Sequence, residues 1–403
     1  MTASTAVFTS IAANYLPKAR VLAQSIKQVA PDTHFVLMLV DEAPADFDLE
    51  GETFDSVMTL QELGLENPTA WAFMHTVVEL CTAVKGRAAS RLLAQDRFDR
   101  VFYFDPDMVV FDRFAELEAA LSEVSILLTP HQSEPEESFD AVMDNEMASL
   151  KHGVFNMGFF GIADTPEGRR FTDWWANRLT DFCVDDIGRG LFTDQKWANL
   201  IPCFFDDYRV LRSPAFNVAT WNITTRAVTG SLDEGVSVNG EPLGFYHFSG
   251  FDSGDQALML GKYGADSPTL EALRAWYVEA CNQHGENSQS TQPYGYGVYA
   301  DGSVVRPAER RLYRARIDLQ RAFPDPFSTD AKGGFSHWYA VNVGHEEPAP
   351  ITLSVSQDTS TREALLAFSN WIRHRALMHG YSLKRATLMG LSKMLKFFSR
   401  GAS

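Results

Sequence analysis

Two aspartates follow directly after an apolar segment of the chain. Residues 101–104 are apolar and lead into Asp105, Pro106 and Asp107. In open α/β sheets, ligands bind beyond the carboxyl ends of the strands, so two carboxylates at such an end can both reach one hard cation. Mg²⁺ and Mn²⁺ prefer oxygen ligands and share their coordination shell with substrate phosphates. The alternative is that both aspartates are turn residues, because Asp and Pro are common where strands end.

A histidine far along the chain offers a third ligand. His247 lies between two aromatic residues at the end of an apolar segment. Neutral imidazole is a common metal ligand in proteins. Asp105, Asp107 and His247 could therefore form one metal site from distant segments. The alternative is a structural histidine, since short motif matches have a high false-positive rate.

The segments around these residues alternate between strand and helix patterns. An apolar segment at 6–10 precedes a helical pattern at 19–26, and an apolar run at 35–40 follows. Strand–helix–strand order of this kind is typical of a βαβ unit. Because the alternation continues to residue 162, with a helix predicted at Phe114–Leu121, it indicates an α/β fold with a mostly parallel sheet. The acidic segment 133–152 is expected to be a loop or a lid.

The composition excludes several classes of protein. The chain has 403 residues and a formal net charge of −17, so it has no basic excess to displace counterions from nucleic acid. It contains no stretch of 18 apolar residues and begins without a secretory pattern, which predicts neither a membrane-spanning helix nor a signal peptide. Its four cysteines form no CxxC pair, which favours a reducing cytoplasm without a zinc site or disulfides.

Six motifs in the expected order carry a resemblance to a known family. They are Asn14-Tyr15, Lys85, Asp105-Pro106-Asp107, Phe155-Asn156-Met157-Gly158, Asp194-Gln195 and His247-Phe248-Ser249-Gly250. Together, over residues 5–260, they resemble the retaining, metal-dependent glycosyltransferases with the GT-A fold, close to glycosyltransferase family 8. The resemblance implies a GT-A (Rossmann-like), mostly parallel mixed sheet flanked by helices, with a helical C-terminal extension. It also implies a hexosyltransferase that moves a hexose from a nucleotide diphosphate sugar to a glycan or lipid-linked hydroxyl, with UDP as the expected carrier.

The resemblance implies roles for individual residues. Asp105, Asp107 and His247 match the ligands of a Mn²⁺ (or Mg²⁺) ion that holds the donor diphosphate. The residues expected to bind the nucleotide sugar are Thr9, Asn14, Tyr15, Lys85, Asp105, Asn156, Gly158 and Gly250. Asp194 and Gln195 match the catalytic pair near the anomeric carbon.

Four of these residues also have a structural interpretation. Tyr15 could be an amphipathic loop residue, and Lys85 could be a buried helix lysine paired with an aspartate. Gly158 could serve strand packing. Asp194 could cap the helix predicted at 196–200, since aspartate is a favoured N-cap residue.

The sequence departs from the family pattern at two places. Residues 11–13 lack the aspartate with which many relatives read uracil, so the base stays open. Where relatives often carry Lys and Pro-Trp, this chain has the segment 251–255. A diphosphate contact is therefore missing or comes from elsewhere, with Lys85 and Lys262 as candidates, whereas Asp252 could bind sugar hydroxyls.

The domain organisation follows from these patterns. We expect a nucleotide-sugar-binding catalytic domain at 1–281, a linker at 282–293 and a mostly helical extension at 294–403. Residues 371–403 contain seven basic and no acidic residues, with an apolar stripe along 382–399. Such a basic amphipathic helix is typical of contact with anionic lipid or a partner, and docking on the protein body is the alternative. The expected location is the cytoplasm, or the inner face of the membrane if the tail binds lipid.

Two rival functions remain open at this point. Residues 105–109 also match the DxDx[TV] pattern of a phosphatase, for which Asp206 and Asp207 would be the later acidic pair. That motif normally ends the first strand of its domain, whereas here about 100 residues precede it. The other rival is a non-catalytic sugar-nucleotide or glycan-binding protein. The expected partners are a nucleotide-sugar donor and a glycan, lipid-linked or protein acceptor, without nucleic acid.

Overall fold

The structure is a computed structural model that describes residues 4–330 and 333–344, together with Ser369, Ile372 and Leu391. The chain divides into two compact units. The first unit comprises Met1–Leu65 and Val77–Gly295, and the second comprises Glu66–Thr76 and Tyr296–Ser403. The predicted basic tail lies outside the described residues, apart from Ile372 and Leu391.

The first unit is built around a seven-stranded sheet. The described strands are β1 (Thr5–Ile11), β2 (His34–Leu39), β3 (Ser56–Thr59), β4 (Arg100–Phe104), β5 (Met108–Val110), β6 (Ile126–Pro130), β7 (Phe155–Ala163), β8 (Asp185–Asp186), β9 (Leu191–Phe192), β10 (Tyr208–Val210), β11 (Val228–Ser231), β12 (Gly235–Val238), β13 (Glu241–Pro242) and β14 (Phe245–His247). The order in the main sheet is β10-β6-β7-β4-β1-β2-β3. Its strands are parallel, except that β7 runs antiparallel to both β4 and β6.

Helices connect and cover these strands. The described α-helices are α1 (Leu16–Val29), α2 (Pro68–Phe73), α3 (Val77–Ala83), α4 (Lys85–Leu93), α5 (Phe114–Leu121), α6 (Phe139–Ala141), α7 (Met147–His152), α8 (Pro166–Phe182), α9 (Gln195–Ala198), α10 (Ile201–Phe204), α11 (Asp255–Tyr263), α12 (Pro268–Gln283), α13 (Glu286–Gln289), α14 (Pro307–Ala315), α15 (Ile317–Ala322) and α16 (Phe335–Asn342). A π-helical segment, Val142–Glu146, joins α6 to α7. Among these helices, none combines the length and the apolar composition that crossing a bilayer requires.

Aromatic side chains show how both faces of the sheet are covered. Successive strand residues point to opposite faces. Phe102 therefore meets Phe114 of α5, with ring centroids 5.5 Å apart, on one face. On the other face Tyr103 stacks on Phe160, whose ring meets Trp175 of α8 edge-on. Burial on both faces explains the continuous apolar runs in the sequence.

The predicted fold class is confirmed: a mostly parallel mixed sheet is flanked by helices, and further helices follow towards the C-terminus. The helix predicted at Phe114–Leu121 is present with the same bounds. The segment predicted as a loop or lid is helical from residue 139 to 152. Ser138 begins this helix because its side chain accepts a hydrogen bond from the Ala141 amide.

The topology places distant segments at one edge of the sheet. β1 and β4 are parallel, so their carboxyl ends lie at the same edge. β7 is antiparallel to β4, so its amino end lies there as well. The residues that follow β1 and β4 and those that begin β7 are therefore neighbours, although they are up to about 150 residues apart.

Candidate active site

The three candidate metal ligands lie together at this edge. Asp105 and Asp107 occupy the turn between β4 and β5, and His247 ends β14, which pairs antiparallel with β5. This pairing places His247 Nε2 at 3.1 Å from Asp107 Oδ1 and at 4.0 Å from Asp105 Oδ2. One ligand atom from each residue lies within 4.8 Å of the others. The structure thus brings together the group that the sequence suggested.

The hydrogen bonds of Asp105 orient its carboxylate. Asp105 Oδ1 accepts hydrogen bonds from Tyr103 Oη at 2.6 Å and from Lys85 Nζ at 3.1 Å. Oδ2 is the oxygen that faces His247. Two carboxylates and one imidazole form an oxygen-rich donor set that suits Mn²⁺ or Mg²⁺. The residues present therefore fit a divalent cation, and Tyr103 and Lys85 hold one of its ligands in place.

Burial and neighbouring charges have opposite effects on the pKa values of Asp107 and His247. Burial would raise the pKa of Asp107, but the neighbouring His247 imidazole lowers it below its ordinary value. Burial would lower the pKa of His247, and Asp107 and Asp105 raise it above its ordinary value. Asp105 and Asp107 therefore favour a positive charge on the neighbouring His247.

Gly158 packs directly against Asp105, one of the three candidate metal ligands. Its carbonyl accepts a hydrogen bond from the Asp105 amide at 2.7 Å. A Cβ atom at this position would lie 2.7 Å from Asp105 Oδ2, and equally close to Asn156 Oδ1 and Met108 Cε. No side chain fits there without moving Asp105. The packing interpretation of Gly158 thus has a physical basis, and its contact with a sugar stays a prediction.

Lys85 lies between Asp105, a candidate metal ligand, and Asp194. Its Nζ atom lies 3.1 Å from Asp105 Oδ1 and 3.1 Å from Asp194 Oδ2, and it donates a hydrogen bond to the Met157 carbonyl at 3.0 Å. Burial would lower the pKa of Lys85, but Asp105 and Asp194 raise it well above its ordinary value. The buried lysine–aspartate pair considered from the sequence is present, and it faces the site.

Asp194 and Gln195 stand beside this lysine. Thr193 has a φ of 43°, a left-handed conformation that is rare for a β-branched residue. Asp194 is at the N-cap position of α9, but its side chain makes no capping hydrogen bond. The Gln195 side chain accepts a hydrogen bond from the Met157 amide at 3.2 Å and donates one to the His152 carbonyl at 3.3 Å. Helix capping therefore does not explain Asp194.

Two cavities meet at the aspartates. The first has a volume of about 640 Å³ and includes Asn14 and Tyr15 in its wall. The second has a volume of about 380 Å³ and includes Lys85, Asn156, Gly158, Asp194 and Gln195. Asp105, Asp107, Val78 and Thr82 line both. All lining residues of both cavities belong to the first unit.

Two predicted binding residues lie outside the lining of these cavities. Thr9 is fully buried within β1, and the next residue, Ser10, lines the first cavity instead. Alternation along the strand explains the difference, because neighbouring side chains point in opposite directions. Gly250 has a φ of 75° and accepts a hydrogen bond from the Gln256 amide at 3.0 Å, so it shapes a turn. Its neighbour Ser249 lines the second cavity.

The second cavity contains residues that the sequence did not single out. They are His131, Asn145, His152 and Trp221. Trp221 packs edge-on against His247 at 5.1 Å and against His131 at 5.4 Å. His131 Nε2 lies 3.1 Å from Asn156 Nδ2, and burial lowers the pKa of His131 to about 4. No spacing in the sequence marks these residues, because only the folded chain assembles them.

The first cavity contains a lysine that was also missed. Lys18 Nζ donates hydrogen bonds to both oxygens of Asp252 at 2.6 Å, and Tyr15 Oη donates to Asp252 Oδ2 at 2.5 Å. Lys262, one of the two suggested diphosphate contacts, instead pairs with Asp144 at 2.6 Å. Of the suggested lysines, only Lys85 lines either of these two cavities.

The chain is similar to several known proteins at low sequence identity. No family model matches the chain. It is 27% identical to YfnD of Bacillus subtilis (strain 168) over 77% of this chain and 98% of that protein, and 23% identical to YfnF of the same strain over 62% and 82%. Among solved structures, the galactosyltransferase LgtC in complex with donor and acceptor sugar analogs is 14% identical, with a TM-score of 0.35 over 69% of this chain and 95% of LgtC. The glycosyltransferase GlyE of Streptococcus pneumoniae TIGR4 is 14% identical, with a TM-score of 0.40 over 74% and 67%.

Proposed function

We propose that this chain is a metal-dependent, retaining glycosyltransferase. It moves a hexose from a nucleotide diphosphate sugar, with UDP as the expected carrier, to a hydroxyl of a glycan, lipid-linked or protein acceptor. The observation that carries the proposal is the position of Asp105, Asp107 and His247 at the junction of two cavities. A diphosphate at this junction would extend a nucleoside into one cavity and a sugar into the other.

The walls of the cavities support this division. In the first cavity the ring of Tyr15 offers a surface on which a base can stack. In the second, Lys85, Asn156, Asp194 and Gln195 offer hydrogen-bonding groups for sugar hydroxyls. A divalent cation bound to Asp105, Asp107 and His247 would neutralise the charge of the departing diphosphate. The base, the sugar and the diphosphate of the donor would thus each contact groups that can bind them.

The chain's own residues position the reacting groups. Lys85 fixes Asp194 within the second cavity, where its carboxylate can bind sugar hydroxyls. Gln195, held by Met157 and His152, would steady the positive charge that develops at the anomeric carbon. Retention follows if the acceptor oxygen bonds to the anomeric carbon on the face from which the phosphate oxygen leaves. The acceptor hydroxyl proton then passes to that phosphate oxygen, and the products are a glycoside and a nucleoside diphosphate.

The first test is a panel of UDP-, dTDP- and GDP-sugars incubated with the protein and Mn²⁺. Released nucleoside diphosphate is measured with and without EDTA, and phosphomonoesters are run in parallel. We expect release from at least one sugar nucleotide that stops when EDTA removes the metal. A protein that binds these donors but never releases the diphosphate, even with a range of glycan acceptors, would be a binding protein and not an enzyme.

The geometry disfavours the phosphatase. Asp207, in its candidate acidic pair, accepts hydrogen bonds from the Ser125 amide and hydroxyl, just before β6. Because β4 and β6 are both antiparallel to β7, they run in the same direction. Asp207 therefore lies at the amino end of the strands, and Asp105 lies at the carboxyl end. The two groups cannot act on one phosphate from opposite edges of the sheet.

We propose that the first unit is the catalytic domain, and this is supported by its containing every lining residue of both cavities. The predicted boundaries at 281 and 293, the cytoplasmic location and the contact of the basic tail with a membrane stay predictions. Liposome binding by the full chain, compared with a chain that ends at residue 381, tests the last of these. Equal binding by both forms would contradict it.

A further inference from the structure

The ammonium group of Lys18 is the basic group in the wall of the first cavity. Its side chain is only 2% exposed, and its Nζ atom lies 4.0 Å from the centre of the Tyr15 ring. Four acidic residues also line this cavity: Asp105, Asp107, Asp252 and Glu286. Lys18 is therefore a buried lysine in the cavity expected to hold the donor nucleotide, and the proposed function gives it no role.

The partner of Lys18 is much more exposed than Lys18 itself. The Asp252 side chain is 46% exposed. It lies on the turn 251–253, between Gly250 and Gly254, whose φ angles are 75° and 84°. A second carboxylate, Glu286, stays at 3.9 Å from Lys18 Nζ. One member of the pair is therefore fixed within a long helix, and the other is on a surface turn.

The surroundings of Lys18 favour an anion. Lys18 is in the first turn of α1, which has 14 residues, no side-chain cap at its N-terminus and no acidic residue in its first turn. Helix N-termini attract negative groups through their free amides and the helix dipole. Asp252 supplies the negative group in this structure.

We propose that Lys18 binds a phosphate of the nucleotide diphosphate donor, and that the Asp252 carboxylate holds this position until the donor phosphate displaces it. This inference rests on the proposed function, and it assigns the diphosphate contact that the segment 251–255 lacks. The exchange has an electrostatic reason, because a carboxylate and a phosphate on one ammonium group repel each other. Displacement removes one of four negative charges from the cavity wall and frees the 251–253 turn from α1.

The test measures binding of UDP and of uridine by calorimetry, with Mn²⁺ present, to wild type, Lys18→Met and Asp252→Asn. We expect Lys18→Met to weaken UDP binding by roughly ten- to a hundredfold, because it removes a charge-assisted hydrogen bond. Asp252→Asn should tighten UDP binding by about threefold or more, because it removes the competing charge while leaving an acceptor for Tyr15. Uridine, which has no phosphate, should bind all three proteins equally.

The same helix supplies the matched control. Lys27, at the other end of α1, pairs with Asp55 at 2.6 Å, and neither residue lines the first or the second cavity. Lys27→Met and Asp55→Asn should leave UDP binding unchanged. Thermal unfolding without ligand shows whether each variant is folded, and Asp252→Asn tests the exchange even if Lys18→Met does not fold.

The binding results distinguish failure of the Asp252 displacement, failure of the Lys18–phosphate contact and failure of the proposed function. UDP binding that is unchanged or weaker in Asp252→Asn overturns the displacement by phosphate. Equal loss of uridine and UDP binding in Lys18→Met overturns the phosphate contact, since it would place Lys18 on the nucleoside. If wild type binds none of UDP, dTDP and GDP, the proposed function fails and this inference fails with it.

Discussion

Lys85 and Lys18 both bind aspartates at the edge of one site, but in contrasting surroundings. The side chains of Lys85 and of its partner Asp194 are each 3% exposed. Lys18 is equally buried, whereas its partner Asp252 is 46% exposed and lies on a turn. An ion pair with both members buried holds the carboxylates of the site in fixed positions. An ion pair with one exposed member can exchange that member for a ligand. If the chain acts as proposed, the buried Lys85–Asp194 pair makes the second cavity preorganised. The half-exposed Lys18–Asp252 pair would let the first cavity adapt to the donor.

The largest effect should come from the group that both cavities share. Asp107→Ala removes one of three candidate ligands and should lower Mn²⁺-dependent release of nucleoside diphosphate by about a thousandfold. The fold should remain, because the substitution removes the side-chain contact with His247 but leaves the backbone pairing of β5 with β14 in place. Turnover and circular dichroism are measured together. Asp112→Asn, a carboxylate just after β5, is the matched control, and full activity of Asp107→Ala would refute the metal assignment.

The second prediction compares the two lysines directly. Lys85→Met leaves Asp194 buried without its cation, which should lower the free energy of unfolding by about 3 kcal/mol. Lys18→Met leaves Asp252 able to turn to solvent, so its cost should stay within about 1 kcal/mol. Urea unfolding of both variants, without metal or nucleotide, measures the difference. Equal costs for both substitutions would remove the distinction between a fixed and an exchangeable pair.

The fold and part of the site could be predicted from the sequence, because both depend on local patterns. The apolar run at 101–104 and the periodicity of Phe114–Leu121 identify a strand and a helix without any knowledge of neighbours. The proposed metal site could be suggested from the sequence because Asp105 and Asp107 are two residues apart and follow a strand. For His247 the sequence left a ligand and a structural histidine both open until the resemblance favoured the ligand, since only the pairing of β14 with β5 brings it there.

The remaining residues of the site could not be predicted from local patterns. Lys18 is in an ordinary first helical turn, and its burial depends on Asp252, which lies 234 residues later. Trp221 and His131 meet only through tertiary packing. The helix at 139–152 was expected to be a loop or a lid because the segment is acidic, although Ser138 provides a recognisable cap.

The third prediction, with a smaller expected cost than Lys85→Met, tests whether the second cavity is too tightly packed at Gly158 to adapt. Gly158→Ala would place a methyl group 2.7 Å from Asp105 Oδ2, Asn156 Oδ1 and Met108 Cε, so that these side chains would have to move. Overpacking of this kind should cost about 2 kcal/mol of stability and should move Asp105 away from His247. Mn²⁺ binding measured by calorimetry should therefore weaken together with stability. Gly261→Ala, on α11 with open space around its Cβ position, is the matched control and should change neither quantity. If Gly158→Ala bound Mn²⁺ as wild type does, the second cavity would adapt as readily as the first, and the contrast between the two lysines would not extend to the cavities they line.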